Sequence, residues 1–258
     1  MSLQIELPGR RVLITGAGQG VGHGLALAFA AAGAEVLVND LLSDRAEETV
    51  TAVLQAGGAA RPAPFDVTDY DAVGAAVEAT GPVDILVNNA GNAGAAGFGG
   101  RGHFAESHPG DWEPYLRVNL YGVLNCTRAV LPVMIDGKWG RVVTIVSDAG
   151  RVGDPQSAAY AAAKAGAAGF TRSIALEHGR HGITANNIAL GTMRTPMTEP
   201  LWADPNAPQA KAILRDYVVR RPGLPDDVAP LAVLLSSEQG SWITGQTIPV
   251  NGGFSFAL

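Results

Sequence analysis

The 258-residue sequence has one cysteine, Cys126, so it can form no intrachain disulfide, and the thiol falls in an apolar helical pattern that suits a buried core position. A chain without disulfides fits a reducing compartment, and the cytoplasm is the expected location. Charge is scarce as well: charged residues make up 16% of the chain, the formal net charge is -6, and 3 lysines and 15 arginines are scattered rather than gathered into a run. That distribution speaks against a nucleic-acid surface. Residues 1–10 lack the basic-then-apolar order of a secretion signal, and no uninterrupted apolar stretch reaches the roughly 18 residues of a membrane span. Neither export nor a membrane partner is expected. His103 and His108, and likewise His178 and His181, have no cysteine, histidine or carboxylate set at ligand spacing beside them, so no metal site is expected.

What is present is apolar and alternating. Hydrophobic residues make up 47% of the chain, too many for disorder and suited to a sheet covered on both faces. Short β-branched runs at 11–15, 35–39, 61–65, 84–88, 141–146, 184–189 and 246–250 alternate with helical patterns at 21–32, 45–56, 69–78, 111–131, 158–178 and 228–235. Asp44 and Glu47 are placed to cap the second helix. Strands separated by helices imply parallel pairing, because each crossover helix returns the chain to the same end of the sheet. The expected fold is therefore α/β: a doubly wound, mostly parallel seven-stranded sheet in a three-layer αβα arrangement, formed by residues 1–258 as one domain. Two segments break the rhythm. Residues 92–110 carry six of the 33 glycines and read as a loop, while 195–225 is proline-rich with an amphipathic piece at 209–219. Both follow strand C-terminal ends, where open α/β sheets bind ligands, and 192–225 is expected to form a substrate lid.

The first strand runs into Thr15-Gly16-Ala17-Gly18-Gln19-Gly20-Val21-Gly22. Glycine serves where φ is positive and where a backbone must approach a pyrophosphate with no Cβ between them, and the helix N-terminus that follows offers unpaired N–H groups to phosphates. The spacing is neither G-x-G-x-x-G nor a P-loop, since no Gly-Lys-Ser/Thr follows. Asp40 ends the second strand, 18 residues beyond Gly22, where a carboxylate can accept hydrogen bonds from adenosine ribose hydroxyls.

Tyr160 and Lys164 lie four apart on a predicted helix, so both project from one face. A free tyrosine titrates near pH ~10, and a nearby ammonium favours the phenolate and lowers that value, which makes a general acid/base. Ser147, at the end of the strongest strand, has a hydroxyl able to donate to a substrate carbonyl. Asn119 falls within the long helix and is unremarkable by itself.

Together these motifs resemble the short-chain dehydrogenase/reductase family over essentially the whole chain. The matching residues are Thr15-Gly16-x-x-x-Gly20-x-Gly22, Asp66-Val67, Asn88-Asn89-Ala90-Gly91, Asn119, Ser147, Tyr160-x-x-x-Lys164 and residues 186–195. The resemblance implies a Rossmann-type fold and hydride transfer between NAD(H) and a secondary alcohol or ketone. In it Tyr160 is the acid/base, Lys164 activates Tyr160 and holds the nicotinamide ribose, Ser147 orients the carbonyl and Asn119 supports a water relay. It further implies that Gly16, Gln19, Gly20, Val21 and Gly22 hold the phosphates, that Asp40, Asp66, Val67, Asn89, Ala90 and Gly91 frame the adenosine side, and that Met193 and Thr195 contact the carboxamide. One departure is Leu190-Gly191, where the family usually has Pro-Gly; without the proline's fixed φ the start of the lid is expected to be looser.

NAD is the expected cofactor because of Asp40. Homotetramers are expected from the small residues Ala161, Ala162, Ala163, Ala165, Ala167, Ala168 and Gly169 of the Tyr160 helix together with the resemblance. The rival readings are a catalytically silent dinucleotide-sensing protein, an NADPH-dependent 3-oxoacyl reductase, and a sugar-nucleotide epimerase, whose relatives carry an added substrate domain. Met197, Leu201, Trp202 and Phe98 suggest a hydrophobic or cyclic ketone, Arg101 and His103 read as exposed loop charges, and Asp148 either touches substrate or caps a turn.

Overall fold

The computed structural model describes residues 5–91, 102–204 and 206–256. Phe98, Arg101 and residues 92–101 of the glycine-rich stretch lie outside the described residues.

Seven strands form one sheet: β1 (Arg11–Ile14), β2 (Glu35–Val38), β3 (Ala59–Pro62), β4 (Ile85–Asn88), β5 (Gly140–Ser147), β6 (Ile183–Leu190) and β7 (Thr247–Val250). All neighbours pair in parallel, in the order β3-β2-β1-β4-β5-β6-β7. The chain starts in the middle of the sheet, winds outward to β3, then returns past β1 to β4 and winds the other way. That reversal leaves a crevice beyond the C-terminal ends of β1 and β4, the place where such sheets receive ligands. The expected doubly wound, seven-stranded parallel sheet is what forms.

Alternate strand residues feed opposite layers, as the two-residue period of a pleat requires. Val12, Ile14, Val36, Val38, Ile85 and Val87 join one buried cluster, which takes in Leu25 and Phe29 of α1 (Gly20–Ala31) and Val228 and Ala232 of α10 (Pro225–Leu235). Leu13, Leu37 and Leu86 point the other way, into a cluster with Val73 and Val77 of α3 (Tyr70–Thr80), Cys126 and Val130 of α5 (Gly122–Gly137) and Ile174 of α7 (Ala158–His178). Cys126 is fully buried, and burial pushes its thiol up to about 12.

Four expectations shift. The third strand begins two residues earlier than the 61–65 run and ends on Pro62, which the sheet tolerates because β3 is an edge and the missing N–H faces outward. Helix α2 (Ser43–Gln55) has Leu42 at its N-cap and no side-chain cap bond, so Asp44 lies in the first turn, favoured by the helix dipole, rather than capping it. The expected helix at 111–131 is α4 (Pro109–Leu116) and α5 joined by a π-helical turn, Arg117–Tyr121. This Pro109–Gly137 unit is long and apolar enough to cross a membrane, with a mean hydropathy of 1.3, but it packs against α3, α7, β4 and β5. In the 195–225 region, the amphipathic piece becomes α9 (Pro208–Arg215), preceded by the short α8 (Glu199–Trp202).

Candidate active site

A cleft of about 980 Å³ opens along the C-terminal edge of the sheet. Its first half is built on the glycine turn. Gly16 and Gly20 have φ of +60° and +58°, a region that side chains with a Cβ rarely enter. A Cβ on Gly16 would lie 2.8 Å from Ala90 Cα, and one on Gly22 would lie 2.3 Å from the Gly16 carbonyl oxygen, so the strand-to-helix turn closes this tightly only with glycine. Gln19 caps α1 without a side-chain bond and the first turn holds no carboxylate, which leaves the helix amides and dipole open to an anion.

The turn is tied to its neighbours. Thr15 Oγ1 accepts from the Asn89 and Ala90 amides, both at 3.0 Å, and Asn89 Nδ2 donates to the carbonyls of Thr15 and Gly16, both at 2.9 Å. Asn39 Oδ1 accepts from the Gly16 amide while its Nδ2 donates to Ala63 and Phe65 carbonyls, joining β1, β2 and the segment after β3. Asn39 is not among the expected site residues; the mark it leaves in the sequence is an amide directly after the apolar run of β2. Asp40 itself is buried, accepting from the Gly18 amide on Oδ2 and the Leu42 amide on Oδ1, each at 3.1 Å. Arg45 lines the same wall of the cleft.

The second half gathers Tyr160, Lys164 and Ser147. Tyr160 and Lys164 share one face of α7, with the ammonium 5.9 Å from the phenol ring centre, and Lys164 Nζ donates to the Ile145 carbonyl at 3.0 Å. Ser147, the last residue of β5, lines the cleft and its Oγ accepts from the Ala149 amide. Asn119 is fully buried in the π turn and donates to the Tyr115 carbonyl at 3.0 Å. Such turns widen the helix and favour functional sites, and this one aims Asn119 inward: a Cβ on Gly91 would lie 3.3 Å from Asn119 Oδ1 and 3.4 Å from Lys164 Nζ. Gly91 is therefore the point where the two halves meet.

Every expected cofactor residue, namely Gly16, Gln19, Gly20, Val21, Gly22, Asp40, Asp66, Val67, Asn89, Ala90, Gly91, Tyr160, Lys164, Met193 and Thr195, lies on this one cleft. Met197 lines it too, whereas Leu201 and Trp202 do not, and Trp202 is buried. Asp148 stands at the N-cap of the one-turn α6 (Ala149–Val152) without a side-chain cap bond, and its carboxylate is held instead by Arg151 and Asn251. The segment that follows Leu190 carries side-chain bonds of its own. Tyr217 Oη accepts from the Thr192 amide at 2.7 Å and donates to Thr192 Oγ1 at 2.9 Å, and Met193 bridges Gly223, so side-chain bonds fix the turn that proline would otherwise stiffen.

Burial lowers Lys164 to about 8 from 10.5, because the ammonium has left water. The folded state then loses its proton as pH rises through about 8 while the unfolded lysine keeps it to about 10.5, so this group makes stability rise with pH in between. Cys126 acts oppositely, but only above about 9, where the unfolded thiol ionises and the buried one stays neutral. The cofactor-free protein is thus expected to gain about 1 kcal/mol between pH 8 and pH 9, a gain that Lys164→Met removes. Denaturant titrations at the two pH values check this; equal slopes in both proteins would refute it.

Comparison with known proteins shows the family. The short chain dehydrogenase family model matches residues 10–206. The oxidoreductase UcpA of Salmonella typhimurium is 37% identical over 257 residues, covering 96% of this chain and 95% of the relative. A 3-oxoacyl-[acyl-carrier-protein] reductase of Synechocystis is 38% identical, covering 93% and 95%. Among solved structures, a gluconate 5-dehydrogenase from Burkholderia cenocepacia in complex with NADP and tartrate superposes with a TM-score of 0.89 at 33% identity, covering 99% and 98% of the two chains. A 3-oxoacyl-[acyl-carrier protein] reductase from Brucella melitensis with bound NAD superposes with a TM-score of 0.88 at 34% identity, covering 100% and 99%. The chain belongs to the short-chain dehydrogenase/reductase family and is an oxidoreductase of that family, whose members bind NAD(P). Relatives carry either dinucleotide, so the choice between them falls to the residues around the adenosine ribose.

Proposed function

We propose that this protein interconverts a secondary alcohol and a ketone with NAD(H), with Tyr160 as general acid/base. The observation that carries the reading is the convergence of Tyr160, Lys164 and Ser147 on the same cleft as the glycine turn. The glycine turn fits a pyrophosphate, since a Cβ on Gly20 would stand between the turn and Thr195 across the cleft. Bound in the cleft, the nicotinamide ring supplies the hydride acceptor or donor. The chain's own groups do the rest. Ser147 Oγ holds the substrate oxygen, Tyr160 takes its proton in oxidation and returns it in reduction, and the buried Lys164 ammonium favours the phenolate. Asn119, packed beside Gly91 and Lys164, supports proton exchange with solvent.

In this reading residues 1–258 work as one unit, with 192–225 as the substrate lid and the cytoplasm as the place of action. The protein assembles as a homotetramer. Ala162, Ala165 and Gly166 lie exposed along α7 in line with Leu176, which is 87% exposed, a smooth face on which a second helix can approach closely. Light scattering at micromolar concentration is expected to give four times the chain mass; a monomer would refute it.

The test of function is a panel of secondary alcohols with NAD+, including a 3-hydroxyacyl thioester, followed by the absorbance of NADH. Turnover of a simple alcohol supports the reading. Turnover of the thioester alone favours the acyl reductase, and binding of dinucleotide without turnover of any substrate favours the silent sensor.

A further inference from the structure

The residue after Ser147 is a carboxylate that the proposed chemistry does not use. Asp148 is 2% exposed, a costly place for a charge unless it is paired. Its Oδ1 accepts from Arg151 Nη1 and its Oδ2 from Asn251 Nδ2, both at 2.6 Å. Arg151 reaches on to Ser255 Oγ at 2.9 Å and the Phe256 carbonyl at 3.1 Å, while Asn251 Nδ2 donates to the Ser255 carbonyl at 2.8 Å. The segment 251–256, beyond β7, is thereby strapped to the end of β5 one residue from Ser147.

The strap carries Phe254 into the cleft. Its ring packs on Tyr217, with centroids 5.3 Å apart at 34°, and Tyr217 is the residue that fixes the lid start through Thr192. Gly252 makes this approach possible: its φ is +60°, and a Cβ there would lie 3.2 Å from Tyr217 Cδ1. Tyr217 is buried, whereas Phe254 stays 39% exposed, so the phenylalanine keeps ring surface available to a ligand. Met197 and Ile213 extend the apolar lining, and the carboxylate of Asp216 also borders this half of the cleft, while Arg151 is turned to Asp148.

We infer that Phe254 is a specificity-determining residue: fastened to Tyr217 by the Asp148–Arg151 anchor, it forms an aromatic wall that selects an uncharged substrate with a flat apolar body beside the reacting carbon. Stacking on a fixed ring favours such a body, and the Asp216 carboxylate repels an anionic one. Asp148 and Arg151 act through Phe254 and are positioning residues. The inference rests on the proposed alcohol/ketone reading for where the substrate sits.

The test uses three ketones titrated into the full-length protein saturated with NADH, followed by calorimetry: acetophenone, 2-butanone and 4-acetylbenzoate, with turnover measured in parallel. Acetophenone is expected to bind about tenfold more tightly than either of the others. Phe254→Leu, which keeps apolar bulk without the ring, and Phe254→Ala should both level acetophenone with 2-butanone. Arg151→Gln should do the same while raising hydrogen exchange in 251–256. Equal binding of the three ketones to the wild type, or a preference unchanged in both Phe254 variants, overturns the wall. A preference for acetophenone without turnover leaves the wall standing and removes the hydride-transfer reading; turnover without the preference does the reverse.

Discussion

Replacing Tyr160 by phenylalanine is expected to lower kcat by about 10²–10⁴-fold, the usual contribution of a positioned acid/base, with NADH affinity within about twofold of wild type. The substitution removes one hydroxyl and little else. Tyr160 is half-buried, and its ring meets Tyr115 edge-on at 6.3 Å, a contact that phenylalanine preserves. The stacking and burial that hold α7 on β5 and β6 are also unaffected, because they come from Ala163, Ala167 and Ala168 on the neighbouring face. A loss of rate without a loss of fold or cofactor binding therefore isolates proton transfer. The measurement pairs steady-state rates with a fluorescence titration of NADH and a thermal melt. Near-wild-type kcat would remove Tyr160 from the chemistry, and an equal loss of cofactor affinity would make it a binding residue instead.

Much of the candidate site was legible because its parts are local. A glycine turn between a strand and a helix, a carboxylate at the next strand end and a Tyr-x-x-x-Lys pair each announce themselves within a few residues. The seven parallel strands follow from the alternation with crossover helices, whereas their order does not, because more than one doubly wound order obeys the same handedness. What stayed hidden depends on pairs far apart in sequence. Asp148 meets Asn251 across 103 residues, and nothing near either position hints at the other. The π turn around Asn119 was equally silent, because none of its residues Arg117–Tyr121 is a proline or glycine, and the flanking Pro114 and Gly122 do not announce an extra residue in the turn. The side-chain bonds after Leu190 were out of reach for a related reason: Tyr217, which holds the amide and hydroxyl of Thr192, lies 25 residues from it. Arg45 stands beside the glycine turn on the same wall of the cleft as Asp40, a proximity that the four residues between the two do not announce.

That position of Arg45 sharpens the question of which dinucleotide is used. NADH is expected to be preferred over NADPH by on the order of a hundredfold in kcat/KM. The reason is Asp40, whose carboxylate is 7% exposed and locked by the Gly18 and Leu42 amides, so it cannot swing away from an incoming phosphate. Two unit charges about 4 Å apart repel by roughly 4 kcal/mol at an effective dielectric of about 20, and relaxation and salt reduce this to the two or three kcal/mol that a hundredfold ratio represents. Gly18 helps fix the carboxylate, since a Cβ there would lie 2.6 Å from Asp40 Oδ2. Arg45 works in the opposite direction. It is exposed, and its Cβ lies 2.6 Å from where a Gly18 Cβ would be, close enough for its long side chain to reach a 2′-phosphate and soften the repulsion. Two substitutions separate the effects. Asp40→Asn removes the charge but keeps an acceptor for one backbone amide, and it should bring the NADH/NADPH ratio close to one. Arg45→Ala should raise the ratio above the wild-type value by weakening NADPH alone. Steady-state kcat/KM with both cofactors, at two salt concentrations, reads these outcomes directly, with the wild-type ratio shrinking as salt rises. If the wild type uses both dinucleotides equally, or if Asp40→Asn leaves the ratio where it was, the selector lies elsewhere on the adenosine wall and Asp40 serves only to hold the glycine turn.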